Sequence, residues 1–289
     1  MKTLNSIVND LWQSPPVPSW GMEVEYNPDR YNEMYVSERL FEVLVLDGMW
    51  DGSGPREAKT PPMHLLDWRQ FTTMVRMIAW LDTPFDKSDE YSYGRHIHIR
   101  AYNYDDDNIN IFDRKLDYAV LLFTPFMGEV KDVKGDYVIT KFRKELWYWS
   151  GVRPFIDEHY RFVSWSQHHT VEIRLNERSP IEAYATALVT YATWKTIPTL
   201  PFNIFTDRDI RNVVLYDGGE KVVVWENNIV KVNIRYFRKF VSNAVSYLSD
   251  FAPKKAIRLI QNVSKNVLKG NYVYWLNDDV KKYYPYVFA

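Results

Sequence analysis

The chain has 289 residues, 46% hydrophobic and 25% charged, the balance of a soluble globular protein rather than a disordered or fibrous one. Lys and Arg number 36 against 37 Asp and Glu, so no basic excess advertises a nucleic-acid partner, and none is expected. Cysteine is absent, which removes disulfides, thiolate metal sites and thiol nucleophiles together and leaves carboxylates and imidazoles as the available metal ligands.

Met1 to Gln13 mixes polar and apolar residues and lacks the apolar centre of a secretory signal. No run approaches the ~18 apolar residues that a membrane span needs, so a cytoplasmic location and no membrane partner are expected. The 21 Tyr, 15 Phe and 11 Trp, together with the missing Cys, point to a thermophilic source or a virus of one. The Pro-rich entry Ser14 to Pro18 leads into a strand over Gly21 to Tyr26, where Met22, Val24 and Tyr26 alternate with Glu23 and Glu25. A helix is expected over Ser37 to Leu46, a turn at Asp51 to Gly54, and a short strand from Glu57 to Thr60, stopped by Pro61-Pro62. Met63 to Leu81 reads as a long amphipathic helix. Arg95 to Ala101 is a second strand and Asp113 to Phe123 a helix. Thr170 to Asn176 is a third strand, with Val171, Ile173 and Leu175 alternating against Glu172 and Arg174. Ser179-Pro180-Ile181-Glu182 then opens a helix running to about Ile197, with Ser179 as N-cap, Pro180 in the first turn and Glu182 closing a capping box.

Beyond Pro201, Asp207 to Leu215 reads as helical and Asp217 to Gly219 as a turn. Lys221 to Trp225 and Ile229 to Val232 form a hairpin across Asn227-Asn228. Asn233 to Leu248 and Lys254 to Lys269 read as helices, the second stopped by Gly270. A boundary is placed near residue 200: residues 1–200 as one domain, and 201–289 as a mainly helical extension packed on it, without a motif of its own.

Residues two apart on a strand share a face. Glu23 and Glu25 form one such pair, His96 and His98 a second, and Glu172 and Arg174 a third. Each pair alone is what a solvated strand face carries, and a surface Glu–Arg pair contributes under ~1 kcal/mol. Together on one sheet they would make a polar floor in which carboxylates repel unless a cation neutralises them. Carboxylates with one or two imidazoles suit Mg²⁺ or Mn²⁺, with Zn²⁺ as competitor. There is no His-Glu-x-x-His, no Gly-x-x-x-x-Gly-Lys and no Gly-x-Gly-x-x-Gly, so neither a zincin helix nor a glycine-rich phosphate loop is available.

Four segments in order resemble the amidoligase branch of the carboxylate–amine ligase superfamily, related to glutamine synthetase and glutamate–cysteine ligase. They are Trp20-Gly21-Met22-Glu23-Val24-Glu25; Asp51-Gly52-Ser53 with Arg56-Glu57 and Thr60-Pro61-Pro62; Gly94-Arg95-His96-Ile97-His98; and Thr170-Val171-Glu172-Ile173-Arg174-Leu175. Tyr160-Arg161-Phe162 is similar to a further family segment, and the resemblance spans residues 20 to 197. It implies an α+β fold: a curved antiparallel sheet of the glutamine-synthetase half-barrel type with helices outside. It implies a metal set of Glu23, Glu25, Glu57, His96 and Glu172, holding about two or three Mg²⁺ or Mn²⁺ ions. Arg174 would meet the transferring phosphoryl group, Arg161 a carboxylate or phosphate, and His98 and Lys59 the nucleotide. The implied reaction is ATP-dependent amide formation through an acyl phosphate, from small-molecule or peptide carboxylate and amine substrates.

Three features lie outside the pattern. Arg95 precedes His96 where a small or apolar residue is expected, and alternation turns it to the other face. Asp105 to Asp107 and Gln167-His168-His169 read as loops. Two other readings stay open: an inactive relative that binds a nucleotide or a partner protein, and a metal-dependent hydrolase built on His96 and His98. Nothing in the sequence bears on the oligomeric state.

Overall fold

The structure, a computed structural model, describes residues 10–11, 13–26, 45–47, 56–78, 95–101, 119–142, 163–165, 170–175, 179–196, 205–208, 212–226, 228–271 and 278–287. Their architecture is α+β: two antiparallel sheets and a set of helices towards the C-terminus.

The first sheet is assembled from strands far apart in sequence. Strands β1 (Ser19–Tyr26), β2 (Val45–Asp47), β3 (Arg56–Lys59), β4 (Met63–His64) and β5 (Arg95–Arg100) come from the first part of the chain. Two later strands, here β6 (Val163–Trp165) and β7 (Val171–Leu175), complete it. The order is β2-β3-β1-β5-β7-β6, with β4 pairing the start of β1. Alternation sorts its faces as a half-buried strand pattern requires. Met22, Ile97, Ile99, Val171 and Ile173 are all buried. Glu23, His98, Glu172 and Arg174 take the opposite parity and are only partly buried.

Helices cover the apolar side. Helix α1 (Trp68–Ile78) starts where Asp67 Oδ1 accepts from the backbone N–H of Arg69 (2.8 Å) and Gln70 (3.2 Å), an N-cap that ends the preceding turn. The sequence pattern predicts this helix from Met63 onwards, but Met63 and His64 form β4 against Trp20 and Ser19. Helix α2 (Pro180–Thr196) is the central element. Residues Pro180 to Trp194 are all buried, so the helix is enclosed around its circumference, as a core helix is. It packs on β5, on α1 and on the C-terminal helices. Phe71 stacks on Tyr184 with centroids 3.9 Å apart, Trp20 lies 4.9 Å from the same ring, and the Tyr184 hydroxyl donates to Leu65 O at 2.7 Å. Burial pushes the Tyr184 hydroxyl's pKa up, so it stays a donor.

The second sheet contains strands 129–134, 137–141, 205–208, 212–217, 220–226 and 229–233, numbered β8 to β13 in that order. Its spatial order is β10-β11-β12-β13-β9-β8. Asp207 to Leu215, expected to be helical from the sequence, instead contributes to β10 and β11, which pair antiparallel. The hairpin expected across Asn227-Asn228 is β12 and β13. A second hairpin, β8–β9, turns at Gly135, whose φ of 58° suits glycine. Because β13 pairs β9, this sheet draws on both sides of residue 200, and among the described residues four strands precede the helices of 201–289.

Those helices are α3 (Ile234–Leu248), α4 (Lys254–Val267) and α5 (Asp278–Tyr283). Asn233 caps α3 by accepting from Arg235 N at 3.0 Å. Tyr284, fully buried, donates to the buried Glu182 Oε1 at 2.8 Å and so ties the C-terminal segment to the first turn of α2. The helix expected over Ser37 to Leu46 lies outside the described residues except at Val45 and Leu46, which are in β2. The turn at Asp51 to Gly54 lies outside them too, and the helix expected over Asp113 to Phe123 is described only from residue 119, where 119–121 are helical. Among the described residues no helix is long and apolar enough to cross a membrane.

Candidate functional site

Cross-strand register brings Glu23 of the first sequence pair together with the second and third pairs. Glu23 on β1 lies opposite Lys59 on β3 and His96 on β5, and His96 lies opposite Arg174 on β7. One row therefore reads Lys59–Glu23–His96–Arg174. Two residues along, Gly21, His98, Glu172 and Ser164 form a second row. Directly opposed residues in an antiparallel pair share a face, with Cβ atoms about 4.5–5.5 Å apart, so both rows stand on the side of the sheet away from α2.

The side chains interlock. His96 Nδ1 lies 3.1 Å from Glu23 Oε2 and 3.3 Å from Glu172 Oε1, bridging the two carboxylates. His98 Nε2 lies 3.3 Å from Glu23 Oε1, and Lys59 Nζ also lies 3.3 Å from that oxygen. Arg174 sets one terminal nitrogen 3.4 Å from Glu172 Oε1, while its buried Nε has no hydrogen-bond partner among the described residues. Burial pushes the Glu23 carboxyl's pKa up, but the contacts and charges of His96 and His98 outweigh it and hold the group well below the usual carboxylate range.

Thr170 joins this set. Its Oγ1 lies 2.9 Å from His98 Nδ1, and the hydroxyl can donate there while Nε2–H faces Glu23. In the sequence Thr170 belongs to a motif but carries no expected site role. A signal for one exists, since Thr170, Glu172 and Arg174 follow one another at strand period.

Glu57 and Glu25 are placed by their backbones. Glu25 pairs with Glu57, and Glu57 with Asp47 on β2, which makes a third row of acidic positions beside the Lys59–Glu23 row. Asp47 has no place in the sequence motifs, because it directly follows a segment whose pattern suggests a helix. Position 95 pairs with Val24 and Leu175, the parity opposite to His96, as alternation requires. Arg161, Asp105 to Asp107, and His168 with His169 lie outside the described residues.

The donor chemistry decides whether this face suits a divalent cation. Among the described residues no group of three or more His, Asp and Glu is arranged to hold a metal ion. The reason is visible in the contacts. An imidazole nitrogen occupies the space between Glu23 and Glu172, and Lys59 and Arg174 match the two carboxylates charge for charge. The described face alone therefore does not fit the ion, and an oxygen-rich donor set would have to come from the acidic third row.

No protein-family model matches the sequence, and no curated protein does. Among solved structures, a chain from the crystal structure of the complex between the prokaryotic ubiquitin-like protein Pup and its ligase PafA is similar. It is 11% identical, with a TM-score of 0.46, over 94% of this chain and 67% of that one. A likeness of that size does not establish a shared function.

Proposed function

We propose that the chain is an ATP-dependent carboxylate–amine ligase. The observation that supports this best is the convergence of Glu23, His96, His98, Glu172, Arg174 and Lys59 on one sheet face, from four strands that are distant in the sequence. On this reading the seven-stranded sheet is the counterpart of the family half-barrel, and residues up to about 200 carry the catalytic machinery.

A free carboxylate is a poor acyl donor because oxide is a poor leaving group. In the proposed reaction a substrate carboxylate oxygen attacks the γ-phosphorus of ATP, and the bond to the β–γ bridging oxygen breaks as ADP leaves. The amine then attacks the acyl phosphate and displaces phosphate, losing a proton as the amide forms. Arg174 is placed for the first step. One edge of its guanidinium rests on Glu172, and the Nε–H is uncommitted among the described residues, as a donor for phosphoryl oxygens should be. Glu172 and His96 hold that orientation. Arg161 would complete the anion site. A divalent ion, when bound, would offset phosphate charge, with Glu25 and Glu57 as its main oxygen donors.

A second reading has an observation in its favour. Lys59 and Arg174 already neutralise Glu23 and Glu172, as in a relative that has kept the fold and lost the chemistry. One experiment separates the two: ATP consumption with Mg²⁺ against mixtures of carboxylates and amines, for the parent and for Arg174→Lys. In a ligase the variant keeps the charge but loses the two-pronged donor. Turnover should fall by roughly two orders of magnitude, while ATP affinity changes much less. Equal turnover in the two proteins would remove Arg174 from the mechanism, and no turnover with any pair of substrates would leave the inactive relative.

A further inference from the structure

We propose that Lys59 is a resident cation of the site, holding the Glu23 carboxylate in the place of a divalent ion, so that the face binds one metal ion fewer than its carboxylates would allow. The inference rests on the reading of this face as a metal- and nucleotide-handling site, and it gives Lys59 a role other than contact with the nucleotide.

Register fixes the lysine. Lys59 is the last residue of β3 and lies directly opposite Glu23, so its side chain enters the cluster as a fixed cross-strand neighbour. Its Nζ sits 3.3 Å from Oε1, with only 18% of the Lys59 side chain and 13% of the Glu23 side chain exposed. That is a largely desolvated pair, unlike a solvent-swept surface bridge. The same Oε1 faces His98 Nε2 at 3.3 Å, and Oε2 faces His96 Nδ1 at 3.1 Å. Both oxygens of Glu23 are thus already engaged by nitrogen donors.

A Mg²⁺ or Mn²⁺ ion bonds carboxylate oxygen at about 2.0–2.2 Å and needs an open lone pair. It would also stand within a few ångströms of the ammonium and repel it, so the two cations compete for one carboxylate. Glu23 is therefore withdrawn from the metal set. The positions left for an ion are in the adjacent acidic row, where Glu25, Glu57 and Asp47 stand in register without an intervening basic residue. Lysine suits the substitution: it delivers a compact point charge on a flexible stem from a neighbouring strand, without octahedral geometry.

The test is Mn²⁺ stoichiometry, read from free Mn²⁺ by electron paramagnetic resonance, on the chelator-treated 289-residue chain without nucleotide. Parent, Lys59→Met and the double variant Lys59→Met with Glu23→Gln are compared. Lys59→Gln replaces the Met variant if that one does not fold. The expected result is one additional Mn²⁺ per chain in the Lys59 variant, lost again in the double variant. An unchanged or reduced stoichiometry on removing Lys59 overturns the proposal, as does a gain that survives loss of Glu23. If the parent binds Mn²⁺ and Lys59→Met shows no gain, the proposal fails while the ligase reading stands. If the parent binds none and the variant binds one, the proposal holds and the inactive relative gains ground.

Discussion

Glu23→Gln tests the charge balance of the site in the sign of a stability change. Gln keeps the size and an acceptor oxygen but removes the charge that Lys59, His96 and His98 surround. At 3.3 Å and an effective dielectric near 20, one unit pair is attracted by about 5 kcal/mol before desolvation. Taking two charges out of water offsets much of that, and removing one partner leaves the other poorly solvated. We expect a net loss of about 2–4 kcal/mol in metal-free protein. For a chain of 289 residues this corresponds to a fall in Tm of roughly 3–7 °C. The assay is thermal or urea unfolding after chelation. The pH dependence supplies a second arm. The Glu23 pKa is depressed in the folded state, so its contribution is fully present above the unfolded value of about 4.5 and is lost as pH falls towards the folded value. The Glu23 contribution to the gap between parent and variant should therefore shrink as pH falls below about 4.5. If the face were a set of mutually repelling carboxylates awaiting metal, the substitution would relieve repulsion and raise Tm. A rise in Tm, or a gap that widens below about pH 4.5, would refute the charge-balanced site.

Two further substitutions probe the core behind the site. Phe71→Ala removes the ring stacked on Tyr184 and should cost about 3–5 kcal/mol, read by urea unfolding. Tyr284→Phe deletes the hydroxyl that bonds the buried Glu182 and should cost about 1.5–3 kcal/mol, with the native fold retained by circular dichroism.

Local pattern decided what was legible in the sequence. β1, β5 and β7 alternate strictly, so which of their residues share a face follows from residue order alone. α2 announced itself through Ser179, whose Oγ accepts from Glu182 N at 3.3 Å, while the Glu182 carboxyl accepts from Tyr284. The Glu182–Tyr284 contact joins residues 102 apart, a separation that no local pattern encodes. The same limit hid the partner of Lys59. Its place beside Glu23 depends on the β1–β3 register, which pairs segments 36 residues apart at that point and so is not encoded locally. The charged start of Asp207 to Leu215 fits a helical turn, which is why the segment suggests a helix. Val213 and Val214 carry the strand preference that prevails once β12 is there to pair with. The Gly135-Asp136 turn of β8–β9 is a hairpin signal that the sequence does carry.

The placement of the site side chains follows from the core more than from their own contacts. A slip of one residue in any strand of the first sheet would send Met22, Ile97 or Ile173 to the polar side and turn Glu23, His96 or Arg174 into the apolar layer. Burial of the first set on the helix-covered side thus fixes the orientation of the second, strand by strand. α2 is held in turn at its first turn by Tyr284, at Tyr184 by the stacked Phe71, and along its length by the C-terminal helices. The polar cluster therefore need not be stabilising overall to be well ordered. It can keep a carboxylate whose proton affinity is strongly shifted and a guanidinium with an N–H uncommitted among the described residues, because the hydrophobic register behind it supplies the order. Preorganisation of that kind is what phosphoryl transfer asks of a site, where most of the catalysis is positioning and electrostatics rather than covalent chemistry by the protein.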